Sequence, residues 1–314
     1  MKLFAPNYYE NFRCIAGDCR HSCCAGWEID IDGESLEYYK SVPGAFGKRL
    51  GENISEEGGC AHFALSEGER CPFLNEHGLC DIILTLGEGA LCQICDDHPR
   101  FRNFYSDRTE MGLGLCCEAA AKLILGREEP FSLALLSDDG EAEELFEEER
   151  KFFALRDEVF RAAQNRRKPV SDRAKEVLAL CGVNLPEKSP ADWANVYSAL
   201  ERMDPEWDSY LSVLKNSGDA AGADFEHREL EAPFEQLLVY FLFRHLSPDG
   251  TAETGAFAVL SFQIVRGIFC ALWAQRGESP GLSSLCEIAR LYSSEIEYSD
   301  ENIEKIIEII ESSR

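Results

Sequence analysis

Cysteine is distributed unevenly along this chain of 314 residues, and that asymmetry constrains the fold more than any other feature. Eleven of the 14 cysteines lie within the first 117 residues. So high a local density is typical of a domain held together by disulfides or by metal. The first ten residues contain one basic side chain, Lys2, and no continuous apolar run, so no secretory signal is predicted and a cytoplasmic location is expected. Cytoplasmic thiols stay reduced, and the clustered cysteines are therefore interpreted as metal or cluster ligands.

Four groups of cysteines make up this N-terminal part, and Cys60 stands apart from them. The groups are Cys14-x4-Cys19-x3-Cys23-Cys24, Cys71 with Cys80, Cys92-x2-Cys95 and Cys116-Cys117. Thiolates a few residues apart can converge on one metal at small entropic cost, and they select zinc or iron–sulfur clusters over magnesium or calcium. Adjacent Cys23 and Cys24 suit a larger cluster better than one tetrahedral zinc, because successive side chains of extended backbone point to opposite sides. An iron–sulfur cluster is favoured, with zinc as the alternative.

The sequence predicts a mainly α protein in three parts. Residues 1–130 are expected to form a cysteine-rich, metal- or cluster-binding domain of short irregular strands and loops. Residues 131–150 are interpreted as an acidic linker, because eight acidic residues lie between Ser137 and Glu149. Residues 151–314 are expected to be all helical, since apolar residues recur at helical spacing between breakers such as Ser247-Pro248-Asp249-Gly250.

The formal net charge of −26 excludes some partners. A chain this acidic repels nucleic acid and anionic membrane, so neither is expected to bind. The apolar run at 256–274 contains Ser261, Gln263 and Arg266, and it is interpreted as a buried core helix and not a membrane span. The acidity suits a lysine-rich protein partner, although a solvated acidic shell explains it more simply. The oligomeric state is left open.

No familiar catalytic motif accompanies the cysteines. Gly112-Leu113-Gly114 lacks the third glycine and the acidic residue of a nucleotide-binding loop, and the six histidines form no recognisable triad or HExxH pattern. Two hypotheses follow. The chain is either an enzyme whose activity depends on the cysteine-rich domain or a non-catalytic metal-chelating, redox-responsive module that binds a partner protein.

The order of the motifs resembles the flagellin lysine-N-methylase family, whose cysteine-rich domain is related to small zinc- or iron-chelating CxxCxxCC proteins. Besides the cysteine groups, the resemblance rests on Gly26-Trp27, Cys71-Pro72-Phe73-Leu74, His98-Pro99-Arg100 and Cys116-x-Glu118-Ala119-Ala120. It continues in the helical part with Phe234-Glu235-x4-Tyr240-x3-Arg244 and Glu295-Ile296-Glu297-Tyr298.

The resemblance implies transfer of methyl groups from S-adenosylmethionine to lysines of flagellin or a similar protein, with a cysteine-ligated iron–sulfur cluster, expected to be 4Fe–4S, as a second cofactor. The cysteines that match best as ligands are Cys14, Cys19, Cys23, Cys24, Cys71, Cys80, Cys92, Cys95 and Cys116.

Methyl transfer needs a neutral lysine amine, which a site provides by desolvating the lysine or by removing its proton with a base. The candidate catalytic residues are Asp30, Glu118 and Tyr240. The candidate cofactor-binding residues are Trp27, His98, Arg100 and Arg244. An indole can stack on adenine and a guanidinium can hold a carboxylate. For each of these side chains the alternative is a structural role in the core, at a helix cap or in a salt bridge.

Overall fold

The computed structural model describes residues 1–140, 143–222 and 228–312 and divides the chain into two compact units. The cysteine-rich unit is Arg13–Arg100, and the helical unit combines Met1–Phe12 with Phe101–Arg314. These limits differ from the predicted boundaries at 130 and 150. The start of the chain joins the helical unit because its first strand pairs with strands that follow residue 100.

The strands of the described residues, in chain order, are β1 (Lys2–Pro6), β2 (Asp30–Ile31), β3 (Ile54–Glu57), β4 (Cys60–Phe63), β5 (Arg100–Phe104), β6 (Arg108–Leu113) and β7 (Leu133–Asp138). The α-helices are α1 (Gly33–Ser41), α2 (Gly44–Glu52), α3 (Asp81–Leu86), α4 (Gln93–Asp97), α5 (Glu118–Leu125), α6 (Glu147–Ala163), α7 (Val170–Leu180), α8 (Pro190–Ser198), α9 (Glu206–Lys215), α10 (Arg228–His245), α11 (Thr251–Arg276), α12 (Gly281–Tyr292) and α13 (Asp300–Glu311).

The cysteine-rich unit is built on a small antiparallel sheet in the order β2-β4-β3 and on four short helices. Its core contains Tyr39, Leu50, Phe63, Phe73 and Ile82. The rings of Phe63 and Phe73 meet edge to face with their centroids 5.1 Å apart. Buried aromatic side chains of this kind supply the apolar area that short, irregular elements need.

The helical unit carries a second sheet in the order β5-β6-β1-β7. Strand β1 runs parallel to β6 and antiparallel to β7, with Lys2 opposite Arg108 and Ala5 opposite Ala134. Strand β7 therefore occupies the first part of the predicted acidic linker, because its apolar residues pair with β1 in spite of the acidic segment that follows. Glu141, one of the acidic residues of that segment, lies outside the described residues.

From Glu147 to Glu311 every element that the structure describes is helical, so the prediction of a mainly α chain is confirmed. Helix α11 packs against α10, α12 and α13 and forms the centre of the helical core. By length and composition α11 could cross a membrane, yet 94% of its most apolar window is buried inside the structure. This burial supports the interpretation of the run at 256–274 as a core helix.

Candidate functional site

The helical unit brings a group of polar side chains together around one buried carboxylate, and we call Cys116, Tyr240, Arg244, His245, Glu297 and Tyr298 the Glu297 cluster. Tyr240 and Arg244 lie four residues apart near the end of α10, so their side chains project from the same face of that helix. Glu297 ends a single π-helical turn, Ser293–Glu297, that follows α12. Such turns often occur at functional sites.

The side chain of Glu297 is fully buried, and three neighbouring polar side chains contact its carboxylate. Its Oε2 accepts a hydrogen bond of 2.8 Å from the Tyr240 hydroxyl, and its Oε1 lies 3.3 Å from Arg244 Nε and also contacts His245 Nε2. Burial raises the pKa of the Glu297 carboxyl, but Arg244 and His245 outweigh it and hold the pKa at about 2. The carboxylate is therefore ionised at neutral pH and fixes the positions of three side chains.

The hydroxyl of Tyr240 is fully engaged in this cluster. It accepts hydrogen bonds from the Leu115 backbone N–H at 3.1 Å and from Arg244 Nη1 at 3.0 Å, and it donates to Glu297. Burial raises the pKa of Tyr240 well above its usual value, so the hydroxyl keeps its proton. For Tyr240, a predicted catalytic residue, this geometry favours a positioning role over proton abstraction.

Three side chains of the cluster converge over Gly114. A Cβ at this residue would lie 2.9 Å from Tyr298 Oη, 3.0 Å from Arg244 Nη1 and 3.3 Å from Cys116 Sγ. Tyr298 is 46% exposed, but its hydroxyl forms a hydrogen bond with the Cys116 thiol. Burial raises the pKa of Cys116, a predicted metal ligand, to about 12. Cys116 lies in the helical unit, whereas the other eight candidate ligands lie in the cysteine-rich unit.

Replacing Gly114 by alanine is expected to lower the free energy of unfolding by about 1 to 3 kcal/mol, because the added methyl group overpacks a site whose arginine and tyrosine are already held. The matched control is Gly51→Ala in α2, where a Cβ would meet no atom within 4 Å. Chemical unfolding curves of the two variants provide the measurement. Equal stability of Gly114→Ala and Gly51→Ala would contradict the close packing over Gly114.

In the cysteine-rich unit, electrostatic interactions connect five thiols into one group: those of Cys24, Cys71, Cys80, Cys92 and Cys95. Burial raises the pKa of Cys71 to about 12, and the neighbouring thiols add to that rise. Cys95 donates a hydrogen bond to Cys92, which lowers the pKa of Cys92 and raises that of Cys95. The donor set is therefore a group of soft sulfur atoms beside the core.

Two short helices position part of this group. Cys80 directly precedes α3, and Cys92 directly precedes α4 while its carbonyl accepts a hydrogen bond of 3.0 Å from the Cys95 N–H. A hydrogen bond with Cys23 lowers the pKa of Cys24 to about 7. Within residues 1–140, 143–222 and 228–312, no three His, Cys, Asp or Glu side chains form a finished metal-ligand arrangement. Metal binding by this unit therefore stays a prediction.

The candidate cofactor residues of the cysteine-rich unit lie beside one another. The ring of Trp27 lies 6.2 Å from that of His98 between centroids, and its Nε1 donates to the Cys23 carbonyl at 2.7 Å. Burial, with a smaller contribution from Arg100, lowers the pKa of His98 to about 4, so the imidazole is neutral. Arg100 Nη1 donates to the Asp96 carbonyl at 2.8 Å, near the end of α4.

The two carboxylates predicted to be catalytic lie in different surroundings. Asp30 is exposed on β2 of the cysteine-rich unit. Glu118 is the first residue of α5 in the helical unit, and it is 5% exposed. Its Oε1 accepts a hydrogen bond of 2.9 Å from the Lys122 ammonium group. Of these two carboxylates, Glu118 is the one that forms a hydrogen bond with a lysine side chain.

Sequence reasoning did not choose Glu297 or His245 as site residues. A signal was available for both, because charged or polar residues in a strongly apolar helical segment are rarely buried without a partner. Glu297 follows the buried Ile296, and His245 follows Arg244 at the end of the apolar run of α10.

Comparisons with known proteins find similarity to lysine N-methylases and to a flagellar biosynthetic protein. Residues 194–314 match the family described as the FliB lysine N-methylase C-terminal domain. A lysine-N-methylase of Salmonella choleraesuis (strain SC-B67) and one of Salmonella typhimurium (strain LT2) are each 28% identical to this chain over 136 residues, which cover 41% of this chain and 33% of the relative. The flagellar biosynthetic protein FliU of Salmonella muenchen is 28% identical over 136 residues and is covered to 79%.

This chain thus spans about a third of the length of the two lysine-N-methylases that it matches. No solved structure matches it. The segment matched by the family, residues 194–314, contains Tyr240, Arg244 and Glu297.

Proposed function

We propose that this chain transfers methyl groups from S-adenosylmethionine to lysine side chains of a flagellin-like protein, on the basis of its similarity to lysine N-methylases. The observation that carries the proposal is the family match at residues 194–314, which contain the carboxylate at the centre of the Glu297 cluster. The name of FliU supports a flagellar substrate. The net charge of −26 suits a lysine-bearing partner, and a cytoplasmic location would keep the clustered thiols reduced.

The substrate lysine must lose its proton before its nitrogen can attack a methyl group. We assign this step to Glu118, because its carboxylate holds the Lys122 ammonium group at 2.9 Å in a buried setting. A substrate lysine that displaced Lys122 would meet the same oxygen. Glu118 would accept the ammonium proton, and burial at this point would disfavour the charged amine.

The Glu297 cluster has a different part in this proposal. Arg244 lies between the rings of Phe101 and Tyr298, at 4.9 Å and 5.1 Å from their centroids, and its charge is balanced by Glu297. Because its nitrogens are already bonded to Tyr240 and Glu297, we assign Arg244 to holding the backbone around Gly114 and Cys116 in place. Contact with the adenine of S-adenosylmethionine is assigned to the Trp27 and His98 rings, and contact with its carboxylate to Arg100.

The chemistry of the donor set supports a further proposal, a thiophilic metal centre in the cysteine-rich unit. Electrostatic interactions connect the sulfur atoms of Cys24, Cys71, Cys80, Cys92 and Cys95. Thiolates are the ligands that iron–sulfur clusters and structural zinc use. We propose that Cys24 and three of the other four hold a 4Fe–4S cluster. Such a cluster, when bound, would supply an iron that can take the amino group of a methionine moiety.

Substitution of Cys24 by serine is expected to abolish iron and sulfide binding, because a hydroxyl does not replace a thiolate for soft metals. Cys60→Ser is the matched control, since Cys60 is exposed on β4 and stands outside the five-thiol group. The measurement is iron, sulfide and zinc content together with the visible absorption spectrum of protein purified without oxygen. Zinc without sulfide in the unsubstituted protein would contradict the cluster proposal, and equal iron content in both variants would contradict the ligand role of Cys24.

Methyl transfer itself is tested with the unsubstituted protein, methyl-labelled S-adenosylmethionine and purified flagellin. We expect label in flagellin and a loss of at least tenfold in rate for Glu118→Gln, whose amide cannot accept the lysine proton. Glu128→Gln, an exposed position near the end of the same helix, provides the control. A Glu118→Gln rate equal to that of the control would remove Glu118 from the mechanism.

A further inference from the structure

One guanidinium group fixes the loop between Cys71 and Cys80 to helix α2. Arg49, in the last turn of α2, donates from Nη2 to the Pro72 carbonyl at 2.6 Å and from Nη1 to the Asp81 carboxylate at 2.8 Å. Pro72 directly follows Cys71, and Asp81 directly follows Cys80. A single side chain of α2 therefore holds the residues that follow both cysteines.

Hydrogen bonds inside the loop keep its two ends together. The Asp81 N–H donates to the Phe73 carbonyl at 2.8 Å, and the Asn75 N–H donates to the Leu79 carbonyl at 3.0 Å. The Asn75 side chain donates from Nδ2 to Asp81 Oδ1 at 2.9 Å, and its Oδ1 accepts a bond of 3.0 Å from the Leu79 N–H. The loop is thus closed by its own hydrogen bonds and joined to α2 by the guanidinium group.

A third thiol of the group of five is attached to the same loop. The Cys71 N–H donates to the Cys24 carbonyl at 2.8 Å, and the Gly26 N–H donates to the Glu69 carbonyl at 3.0 Å. Electrostatic interactions connect the Cys71 thiol with those of Cys24 and Cys80. Backbone hydrogen bonds therefore determine where three of the five sulfur atoms lie.

The Arg49 side chain is itself held in one orientation. Its guanidinium carbon lies 5.0 Å from the centroid of the Phe73 ring and 5.9 Å from that of the Phe46 ring. The Asp81 carboxylate balances its charge. A planar guanidinium held by two rings and two acceptors presents its donors at fixed angles, which the ammonium group of a lysine does not.

We propose that Arg49 is a positioning residue of the metal centre in the cysteine-rich unit and that it holds Cys71 and Cys80 together as ligands. The inference rests on the proposed metal centre, and it takes Cys71 and Cys80 as two of the ligands that join Cys24. Side chains that support metal ligands by hydrogen bonding fix the orientation of those ligands, and their loss typically lowers metal affinity about 10- to 100-fold. Arg49 acts by preorganisation, because the loop is ordered by folding and not by the metal.

The test follows the loss of bound iron or zinc to EDTA from the full chain purified without oxygen, together with the visible absorption spectrum. We expect metal release about tenfold faster in Arg49→Met, whose unbranched side chain keeps the contact with Phe46 and Phe73 but lacks the two donors. Arg49→Lys should also release metal faster, because an ammonium group does not replace the planar fork.

Two controls belong to the same helix. Lys48→Met removes an exposed cation that pairs with Glu52 on the surface. Leu50→Val removes one methylene group from the buried core and lowers stability without touching the loop contacts of Arg49. Both should keep the spectrum of the bound metal, whereas Arg49→Met should change it, since the orientation of two ligands changes.

Equal release rates in Arg49→Met and the unsubstituted protein would overturn the positioning role and leave the proposed metal centre standing. Release from Leu50→Val as fast as from Arg49→Met would overturn it as well, since metal loss would then follow general stability. Unchanged release from Arg49→Lys would show that positive charge alone is sufficient, against the proposal. Folded protein that contains neither iron nor zinc would instead remove the metal centre itself, and this inference with it.

Discussion

Glu297→Ala is expected to lower the free energy of unfolding by about 3 to 5 kcal/mol, the largest effect of any single substitution in the Glu297 cluster. The carboxylate is the common acceptor for Tyr240, Arg244 and His245, and all of it is buried. Its removal leaves the Arg244 charge without its counter-ion inside the helical core. An uncompensated buried charge costs far more than the loss of an exposed ion pair.

Urea unfolding followed by far-ultraviolet circular dichroism measures this change. Glu301→Ala is the control, because the Glu301 carboxylate is exposed and pairs with Lys305 on the surface of α13. The free energy of unfolding of Glu297→Gln should lie between those of Glu297→Ala and Glu301→Ala, since the amide keeps a hydrogen-bond acceptor and loses the charge. A Glu297→Ala protein as stable as the control would show that the cluster does not hold the helical unit together.

The same carboxylate predicts an acid dependence. Its pKa is about 2 in the folded protein, against an ordinary value of 4.5, so the unfolded chain takes up the proton more readily. The stability that Glu297 contributes is therefore fully present above about pH 5 and is lost as the pH falls toward 2. The difference in stability between the unsubstituted protein and Glu297→Gln should shrink over that interval. A difference that stays constant across it would contradict the lowered pKa.

The second large effect is expected at Glu235. Glu235→Ala should also lower the free energy of unfolding by about 3 to 5 kcal/mol. The substitution leaves Arg173, whose side chain is 1% exposed, without its buried partner, and it removes the partner of Arg166 as well. Arg173 keeps its contacts with Glu231 and with the Lys168 carbonyl, which sets the upper limit of the loss.

Unfolding of Glu235→Ala is best compared with that of Glu158→Ala, an exposed residue of α6 whose nearest arginine lies at 4.0 Å. A double substitution of Glu235 and Arg173 by leucine should recover part of the lost stability, because it removes both buried charges. If the double variant loses more free energy of unfolding than the two single variants lose together, this account of the pair is contradicted.

The sequence was sufficient for the helical architecture and insufficient for the unit boundaries. Helices α10 to α13 could be predicted because apolar residues at helical spacing and breakers such as Pro248 act locally. The assignment of residues 1–12 to the helical unit depends on the pairing of β1 with β6 and β7 across more than 100 residues. Local patterns do not encode such long-range partners.

The candidate site shows the same division. Tyr240, Arg244 and Cys116 could be chosen from motifs, and the structure places all of them in the Glu297 cluster. Glu297 could not be connected with them, since 57 residues separate it from Tyr240 and the connection passes through α11 and α12. Asp30, Trp27 and His98 belong to the cysteine-rich unit, where Asp30 lies on a strand of two residues and Trp27 and His98 lie outside the strands and helices.

The central claim is that this chain methylates protein lysines, and the mass of flagellin peptides tests it most directly. Purified flagellin is incubated with S-adenosylmethionine and the protein prepared without oxygen, digested, and compared by mass spectrometry with a sample that lacks the cofactor. We predict peptides heavier by one or more methyl groups, with the added mass on lysine side chains. Unmodified lysines after incubation with folded protein that contains its full complement of metal would contradict the claim.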